Sequence, residues 1–293
     1  MHNVGLLFNS QKPEAIKIAK ELRLWGNEAG VDFLMPEAEA AAIDDRGLPD
    51  KTWRENVEFA VILGGDGTFL RAARYTFGYD IPLYGINLGR LGFLAVGSPK
   101  SAQDDIAAIL EGRYTLQQRH LIKGTIWRKD EKVYEMRALN DLVISKANVA
   151  RVIDIEVRVG SELLTYFIGD GLILSTPTGS TAYSLSAGGP IAPPHIPSII
   201  LAPICAHSLY ARPVVLSESD VVNVYPLGDI SNIMLTLDGQ LGYDLESGDR
   251  IEVMLDPEQY INTIQLHGKS YYDLLREKLR WGYNGIDIGR ERG

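Results

Sequence analysis

Phe59-Ala-Val-Ile-Leu-Gly-Gly-Asp-Gly-Thr68 is the stretch that decides the fold, because it joins a continuous apolar run to a glycine turn. The run from 59 to 63 has no polar face, which is typical of a strand covered on both sides, as in a parallel sheet. Residues 68–75 then have the pattern of a helix start. The stretch therefore predicts a buried strand, a tight turn and a helix, in that order.

Strand-like and helix-like segments alternate on either side of this stretch. Residues 4–8, 31–35 and 81–86 are short apolar runs, and residues 13–28 place apolar side chains at helical spacing. Such alternation is typical of helices layered on a mostly parallel sheet. We therefore expect an α/β, Rossmann-like N-terminal domain over residues 1–120 that carries the glycine turn.

The pattern changes near residue 120. Short β-branched, alternating segments predict strands, with turn dipeptides such as Asp238-Gly239 between them. We therefore expect a mostly-β domain over residues 121–269. Residues 271–281 return to a helical pattern, so residues 270–293 are expected to pack back on the first domain. The predicted strands of the second domain are residues 122–128, 132–137, 154–159, 221–226, 233–237 and 250–255.

Composition narrows the class of protein. The 293 residues include 29 Lys and Arg against 38 Asp and Glu, a net charge of −9, which argues against a nucleic-acid-binding face. The single cysteine, Cys205, excludes an intrachain disulfide and favours the cytoplasm. The longest apolar stretch, 196–206, is interrupted by two prolines and falls short of the ~20 residues of a membrane helix, and no signal peptide is visible. We therefore expect a cytoplasmic protein that binds neither nucleic acid nor membrane.

The first cluster with chemical potential is the glycine turn, residues 64–68. Glycines let the backbone approach a ligand closely, and the N-terminus of the helix that follows favours phosphate. Asp66 is the unexpected member, because a carboxylate repels phosphate unless it binds a metal or takes a proton; the alternative is that it caps the helix. Arg71, one turn further on, is either a phosphate partner or a solvated helix residue. The candidate phosphate ligands in the turn are Gly64, Gly65, Gly67 and Thr68.

The second cluster is a run of small hydroxyl residues, 175–186, that follows Asp170 and an apolar segment at 172–174. Hydroxyl and exposed N–H groups suit a ligand with many hydroxyls, such as a ribose phosphate, and the Tyr183 ring offers a flat face for a base. The alternative is a surface turn with ordinary helix caps. So many small polar residues beside one isolated carboxylate favour the binding interpretation.

The third cluster is Asn140-Asp141, directly before an apolar segment at 142–144. An amide and a carboxylate can bond adjacent hydroxyls of a sugar. The dipeptide is also common in turns, so it indicates little by itself.

Taken in order, the three clusters resemble the NAD kinase family. The segments concerned are Gly64-Gly-Asp-Gly-Thr68, Asn140-Asp141 and Asp170-Gly-Leu-Ile-Leu-Ser-Thr-Pro-Thr-Gly-Ser-Thr-Ala-Tyr183. Residues 85–93, 203–208, 212–213 and 237–240 support the resemblance, which spans residues 3–281. The glycine loop is shared with lipid kinases and phosphofructokinases, whereas the Ser-Thr-Pro-Thr-Gly-Ser-Thr-Ala-Tyr stretch is highly specific.

The resemblance implies a β-sandwich-like second domain, with the nucleotide in the cleft between the domains. It implies transfer of the γ-phosphoryl group of ATP, or of polyphosphate, to the 2′-hydroxyl of the adenosine ribose of NAD, with Mg²⁺ accompanying ATP. A homodimer or homotetramer is implied, and Asp66 is the general base. The implied NAD pocket comprises Asp66, Gly67, Phe93, Asn140, Asp141, Arg151, Ile168, Asp170, Thr178, Thr181, Ala182, Tyr183, Ser184, Leu185, Ser186 and Gln240.

Two positions depart from the family pattern. Asp141 stands where many relatives have Glu, which shortens its reach by one methylene, and Ile168 stands where relatives often have Arg, which removes a charge partner near the nicotinamide end. Two other functions share parts of the pattern. A lipid or sugar kinase would share the glycine loop, but the chain lacks a basic amphipathic segment. A module that binds NAD without turnover is disfavoured by the intact loop and its Asp66.

Overall fold

The computed structural model describes residues 1–146, 152–228, 232–266 and 270–281. Its N-terminal part alternates strands with helices, as the sequence predicts. The four strands that form the parallel layer lie in the order β2-β1-β3-β4. In chain order, the elements are β1 (His2–Phe8), α1 (Pro13–Ala29), β2 (Val31–Leu34), α2 (Glu37–Ala41), α3 (Asp50–Asn56), β3 (Phe59–Gly64), α4 (Asp66–Thr76), β4 (Leu83–Asn87) and α5 (Ala102–Leu110).

Strand β3 is buried along its whole length, which confirms the interpretation of its apolar run. Alternate side chains of the strand enter different cores. Val61 packs in one core with residues of α1, and Ile62 packs in another with Phe69 of α4. Because both faces of the layer are covered by helices, an alternation of polar and apolar residues would leave polar groups buried.

The rest of the described chain is mostly strand. A short 3₁₀ helix, Thr178–Thr181, precedes the single-turn helix α6. In chain order, the elements are β5 (Thr115–Arg128), β6 (Glu131–Ala138), β7 (Asp141–Lys146), β8 (Ile153–Val159), β9 (Glu162–Gly169), β10 (Gly171–Ser175), α6 (Tyr183–Ser186), β11 (Ser198–Ile204), β12 (Val214–Ser217), β13 (Val222–Leu227), β14 (Ile233–Leu237), β15 (Leu241–Asp244), β16 (Asp249–Gln265) and α7 (Tyr271–Leu279).

Two sheets face each other in this part. One has the order β12-β11-β10-β7-β14-β15, and all of its pairs are antiparallel. Its Leu142, Leu172 and Leu235 share a core with Ile155 and Val253 of the other sheet. The expectation of a mostly-β, sandwich-like second part is confirmed.

Strand β16 connects the two parts. It pairs with β5 along both halves of its length, with β13 over residues 251–253, and at Thr263 in parallel with Leu83 of β4. The order β2-β1-β3-β4-β16-β13-β8-β9 therefore forms one continuous sheet. A domain boundary at residue 120 stays a prediction, since the sheet itself has no break there.

Helix α7 packs back on the N-terminal part, as expected for the segment from residue 270; residues 282–293, to which the expectation also extended, lie outside the described residues. It begins with a capping box in which Ser270 Oγ accepts from the Asp273 N–H at 3.1 Å, and it buries Leu274 and Leu275. The Lys278 ammonium lies 5.3 Å from the centre of the Phe93 ring, in the segment that follows β4. Across the described ranges, every helix is too short or too polar to cross a membrane.

Candidate active site

The glycine turn sits at the carboxyl end of β3, where α4 begins. A Cβ on Gly64 would lie 2.4 Å from Thr68 Oγ1, so this position requires glycine. The Gly65 carbonyl accepts from the N–H groups of Thr68 and Phe69 at 3.0 and 3.1 Å. The N–H groups of Asp66 and Gly67, in the first turn of the helix, have no intrahelical acceptor. Together with the helix dipole they make a local site for a phosphate group on an acidic protein.

The carboxylate of Asp66 is bonded to the segment after β4. Its Oδ2 accepts from the Phe93 N–H at 2.8 Å, and its Oδ1 accepts from the N–H groups of Leu94 and Ala95 at 3.0 and 3.2 Å. The segment approaches so closely that a Cβ on Gly92 would lie 2.0 Å from Oδ1. The alternative role of Asp66 as a helix cap is excluded, because the N-cap residue is Gly65 and α4 has no side-chain cap.

A carboxylate offers about four lone-pair sites, so three bonds leave Asp66 one acceptor position. The three backbone donors also fix the orientation of the side chain. The Asp66 carboxylate is therefore fixed in position and can accept one further hydrogen bond, beside a turn whose N–H groups suit a phosphate. This geometry suits a base that must meet a hydroxyl in one defined direction.

Gln240 joins the glycine turn to the β-rich part of the chain. Its Nε2 donates to the Gly67 carbonyl at 3.0 Å, and its Oε1 accepts from Arg74 of α4. Gln240 follows the turn between β14 and β15, in which Asp238 and Gly239 have φ of 48° and 63°. Such a left-handed pair is typical of a tight hairpin, for which Asp-Gly is a preferred dipeptide.

Asp238, in the same turn, holds the Asn140-Asp141 dipeptide. Its Oδ1 accepts from the N–H groups of Asn140 at 2.7 Å and Asp141 at 3.3 Å, and its Oδ2 accepts from the Leu139 N–H at 3.3 Å. Arg74 Nη1 lies 3.6 Å from Oδ2. Sequence analysis missed this role of Asp238 and the part played by Arg74. One sequence feature could have indicated the role of Asp238: its carboxylate comes directly after the predicted strand 233–237.

Asp141 and Asp238 form a buried carboxyl pair. Burial and the negative charge of Asp238 raise the pKa of Asp141 to about 7. Burial raises the pKa of Asp238 as well, while its three N–H donors and Arg74 oppose that rise. Because hydrogen bonds stabilise the charged form of Asp238, Asp141 is the member of the pair that takes up a proton near neutral pH. Near neutral pH, Asp141 can therefore donate a hydrogen bond as well as accept one.

Several hydroxyls of the 175–186 run are used inside the protein. Thr176 Oγ1 donates to the Leu139 carbonyl at 2.6 Å, and Ser175 Oγ donates to the Asn140 carbonyl at 3.1 Å. Ser180 Oγ donates to the Pro177 carbonyl at 2.6 Å. These three hydroxyls therefore stabilise the turn next to Asn140 and are not available to a ligand. The expectation that the run binds a ligand is limited to its other residues.

Other members of the run remain available. Among the described residues, the buried hydroxyls of Thr178 and Ser184 have no hydrogen-bond partner. Buried polar groups are nearly always paired, so such hydroxyls indicate a missing ligand or water. Tyr183 is 47% exposed and can offer its ring to a base. The neighbouring predicted residues Thr181, Ala182, Leu185 and Ser186 lie on the same 3₁₀ turn and helix α6.

The remaining predicted residues lie in three other places. Arg71 donates to the Phe8 carbonyl and to Glu39, both at 2.8 Å, at the carboxyl end of β1. Ile168 is the penultimate residue of β9 and 37% exposed. Asp170 follows that strand and accepts a hydrogen bond from the Cys205 thiol, which raises the pKa of Cys205. Arg151 lies outside the described residues. Within the described ranges, no group of three His, Cys, Asp or Glu side chains could hold a metal ion.

Comparison with known proteins gives matches over most of the chain. Residues 4–114 match the family model of the ATP-NAD kinase N-terminal domain, and residues 139–266 match the ATP-NAD kinase C-terminal domain. The chain is 37% identical over 284 residues to a NAD kinase of Natranaerobius thermophilus, covering 96% of this chain and 99% of the relative. It is 40% identical over 286 residues to a NAD kinase of Thiobacillus denitrificans, covering 96% and 97%. The crystal structure of yeast NADH kinase complexed with NADH superimposes with a TM-score of 0.87 at 26% identity, covering 100% of this chain and 90% of that one.

Proposed function

The chain belongs to the NAD kinase family, and we propose that it transfers the γ-phosphoryl group of ATP to the 2′-hydroxyl of the adenosine ribose of NAD, giving NADP and ADP. It is a phosphotransferase with an alcohol group as acceptor. Relatives named NAD kinase match it over nearly their full length, at 35–40% identity.

One observation carries this proposal: a series of contacts joins all three sequence clusters. Gly67 of the glycine turn accepts from Gln240, which also bonds Arg74, and Arg74 lies against Asp238. Asp238 holds the Asn140-Asp141 dipeptide. The Asn140 carbonyl in turn accepts from the hydroxyl run through the Thr176 N–H at 2.8 Å. These polar contacts connect the turn that we propose to bind phosphate with the groups that we propose to bind the sugar, which supports a single site.

Asp66 is the proposed general base. The 2′-hydroxyl donates to the remaining acceptor position of Asp66, and its proton passes to the carboxylate as the oxygen bonds to the γ-phosphorus. The bond from that phosphorus to the bridging oxygen of ATP breaks, and ADP leaves. Phosphoryl transfer needs positioning and charge stabilisation more than covalent chemistry. The N–H groups of the glycine turn, residues 64–68, supply that stabilisation without having to reorganise.

The NAD side of the site is proposed from the groups that remain free. Asn140 and Asp141 would bond the adenosine ribose, with Asp141 acting as a donor in its protonated form. Tyr183 and Phe93 would pack against adenine, and Thr178 and Ser184 would gain partners for their buried hydroxyls. The other proposed NAD contacts are Gly67, Arg151, Ile168, Asp170, Thr181, Ala182, Leu185, Ser186 and Gln240.

Mg²⁺ is the proposed divalent cation, carried into the site on ATP. Its preferred ligands include phosphate oxygens, which ATP itself would supply. When bound, the cation would offset the negative charge of the transferring group. We further propose a cytoplasmic homodimer or homotetramer, with Arg71 as an outer phosphate contact that would have to leave Glu39.

Asp66→Asn tests the proposal. General-base catalysis is typically worth about 10²–10⁴-fold, so kcat should fall by that range while NAD affinity changes little. NADP formation is measured with ATP and with polyphosphate, and diacylglycerol and fructose 6-phosphate serve as rival acceptors. Asp104→Asn, an exposed carboxylate on α5, is the matched control. A kcat within a few-fold of wild type would make Asp66 a positioning residue, and no NADP from the wild-type protein would overturn the function.

A further inference from the structure

A cavity of about 840 Å³ lies beside the proposed active site, between the start of β5, the end of β16 and helix α7. Its walls include Gln117 and Arg119 of β5 and Tyr271 of α7. Among the described residues of the proposed NAD pocket, Phe93 is the one that also lines it. A volume of this size is typical of sites for small molecules. Apart from Phe93, no described residue that is proposed for phosphoryl transfer or for NAD binding lines it.

Arg119 is the reason to regard this cavity as a binding site. The side chain lies on a strand and is only 6% exposed, and its Nε has no hydrogen-bond partner in the described part of the chain. Burial lowers the pKa of Arg119 to about 10, while Tyr271 and Asp66 act in the opposite direction. Asp66 already accepts three backbone bonds. Among the described residues no carboxylate forms an ion pair with Arg119, so its guanidinium lacks the closely bonded anion that buried charges usually have.

The walls indicate the kind of anion. Leu116, Leu266 and Leu274 form an apolar side, and the side-chain amides of Gln117 and Gln265 add neutral polar groups. The carboxylate of Asp105 also lines the cavity, where it accepts from the Tyr84 hydroxyl at 2.6 Å and from Ser101 at 2.8 Å. Arg119 is the one cation and Asp105 the one carboxylate among the residues that line the cavity, so the walls are neutral before a ligand enters, and a monoanion leaves half the uncompensated charge that a dianion would leave. The lining thus favours a monoanion with an apolar body over a phosphate dianion.

We propose that this cavity binds a small organic carboxylate, whose carboxylate group pairs with the Arg119 guanidinium and whose body packs against the leucine side. The ligand contributes two parallel acceptors, which match the fork of donors on an arginine. The apolar body leaves water on entry, which adds a favourable term proportional to its area.

The site adjoins the segment that holds Asp66. Phe93, Leu91 and Val96 line the cavity, and the N–H groups of residues 93–95 bond the Asp66 carboxylate. An occupant that contacts this segment therefore changes the free energy with which Asp66 is held, and by linkage NAD and the carboxylate alter each other's affinity. This coupling rests on the proposed role of Asp66, whereas binding in the cavity does not.

Benzoate is the probe, and benzamide is its neutral match. Calorimetry on the full chain with saturating NAD should find one benzoate per chain and at least about tenfold weaker binding of benzamide, since bonds to charged groups are the stronger ones. Arg119→Gln should weaken benzoate by a similar factor, and Arg119→Lys should restore part of the affinity. Gln117→Trp, which places an indole in the cavity, should abolish binding. Inorganic phosphate should bind more weakly than benzoate.

Three results would overturn the proposal. One is the absence of benzoate binding to the wild-type protein; another is equal affinity for benzamide; the third is full affinity in Gln117→Trp, which would place benzoate elsewhere. If Arg119→Gln does not fold, the comparison of benzoate with benzamide and the Gln117→Trp variant still decide the matter. If benzoate binds but leaves the affinity for NAD unchanged, only the coupling is refuted. If the protein binds benzoate normally but has no kinase activity, only the proposed function is refuted.

Discussion

Gly92→Ala displaces the Asp66 carboxylate without removing it. The variant therefore tests whether activity depends on the position of this carboxylate. A Cβ at this position would lie 2.0 Å from Asp66 Oδ1 and 2.7 Å from its Cγ. Because non-bonded carbon contacts are optimal near 3.5–4.0 Å, the segment or the carboxylate must move by about 1 Å or more. A displacement of this size can cost about 10²-fold in rate. We therefore expect kcat to fall by about 10²-fold, although every polar group of the site is retained.

The same crowding should lower stability. Overpacking typically costs about 1–3 kcal/mol, and the three bonds from residues 93–95 to Asp66 would lengthen as the segment moves. NADP formation is followed with an NADP-specific dehydrogenase as the coupling enzyme, and the free energy of unfolding is measured by urea titration of the same sample. Saturating substrate in the assay separates kcat from KM.

Gly89→Ala is the matched control, in the same segment. The nearest heavy atom to a Cβ on Gly89 is Asn87 Oδ1 at 3.9 Å, an ordinary contact. Its kcat should stay within a few-fold of wild type. If folded Gly92→Ala also retained wild-type kcat, the position of Asp66 would not depend on this segment. If Gly89→Ala lost as much activity as Gly92→Ala, the loss would reflect the segment as a whole.

Three further predictions concern the acceptor side. Burial and Asp238 raise the pKa of Asp141 from its ordinary 3.8 to about 7, so its contribution to stability is full below pH 4 and is lost as the pH rises to 7. Asp141→Asn should therefore gain up to about 1.4 kcal/mol per pH unit relative to wild type between pH 5 and 7, measured by urea unfolding; a constant difference would contradict this. Gln240→Ala removes the bonds to Gly67 and Arg74 and should raise KM for NAD about three- to tenfold, and an unchanged KM would show that the link is not used. Asp66→Asn should also bind NADP more tightly relative to NAD, because it no longer repels a 2′-phosphate; calorimetry that finds the same ratio as wild type would refute this.

Local sequence patterns predict most of the helices and strands of the structure. Residues 233–237 were predicted as a strand, and β14 has those bounds. The predicted strand 250–255 covers only the first part of β16, which continues to Gln265. Pro257 stands within this longer strand, although proline interrupts a ladder of hydrogen bonds. The structure accommodates it at a register shift between Leu255 and Tyr260.

The candidate site was predictable only where its residues are neighbours in the chain. The glycine turn and the hydroxyl run were recognised because each forms one short segment. The donors to Asp66 lie 27 to 29 residues away, and Asp238 lies 97 to 99 residues from the N–H groups that it accepts from. Arg119 belongs to a strand whose partner, Ile261, is far along the chain. Such pairs are set by tertiary packing, which no spacing pattern records.

Strand β16 has a mechanical consequence for substrate entry. It pairs with β4 at Thr263 and with β13 at Val253, so the half with the glycine turn and the β-rich half are both hydrogen-bonded to the same strand. Rotating one half against the other would bend that strand at the shift between Leu255 and Tyr260. Under the proposed function, adjustment during turnover therefore falls to the loops around the site, since rotation of the two halves would cost strand pairing.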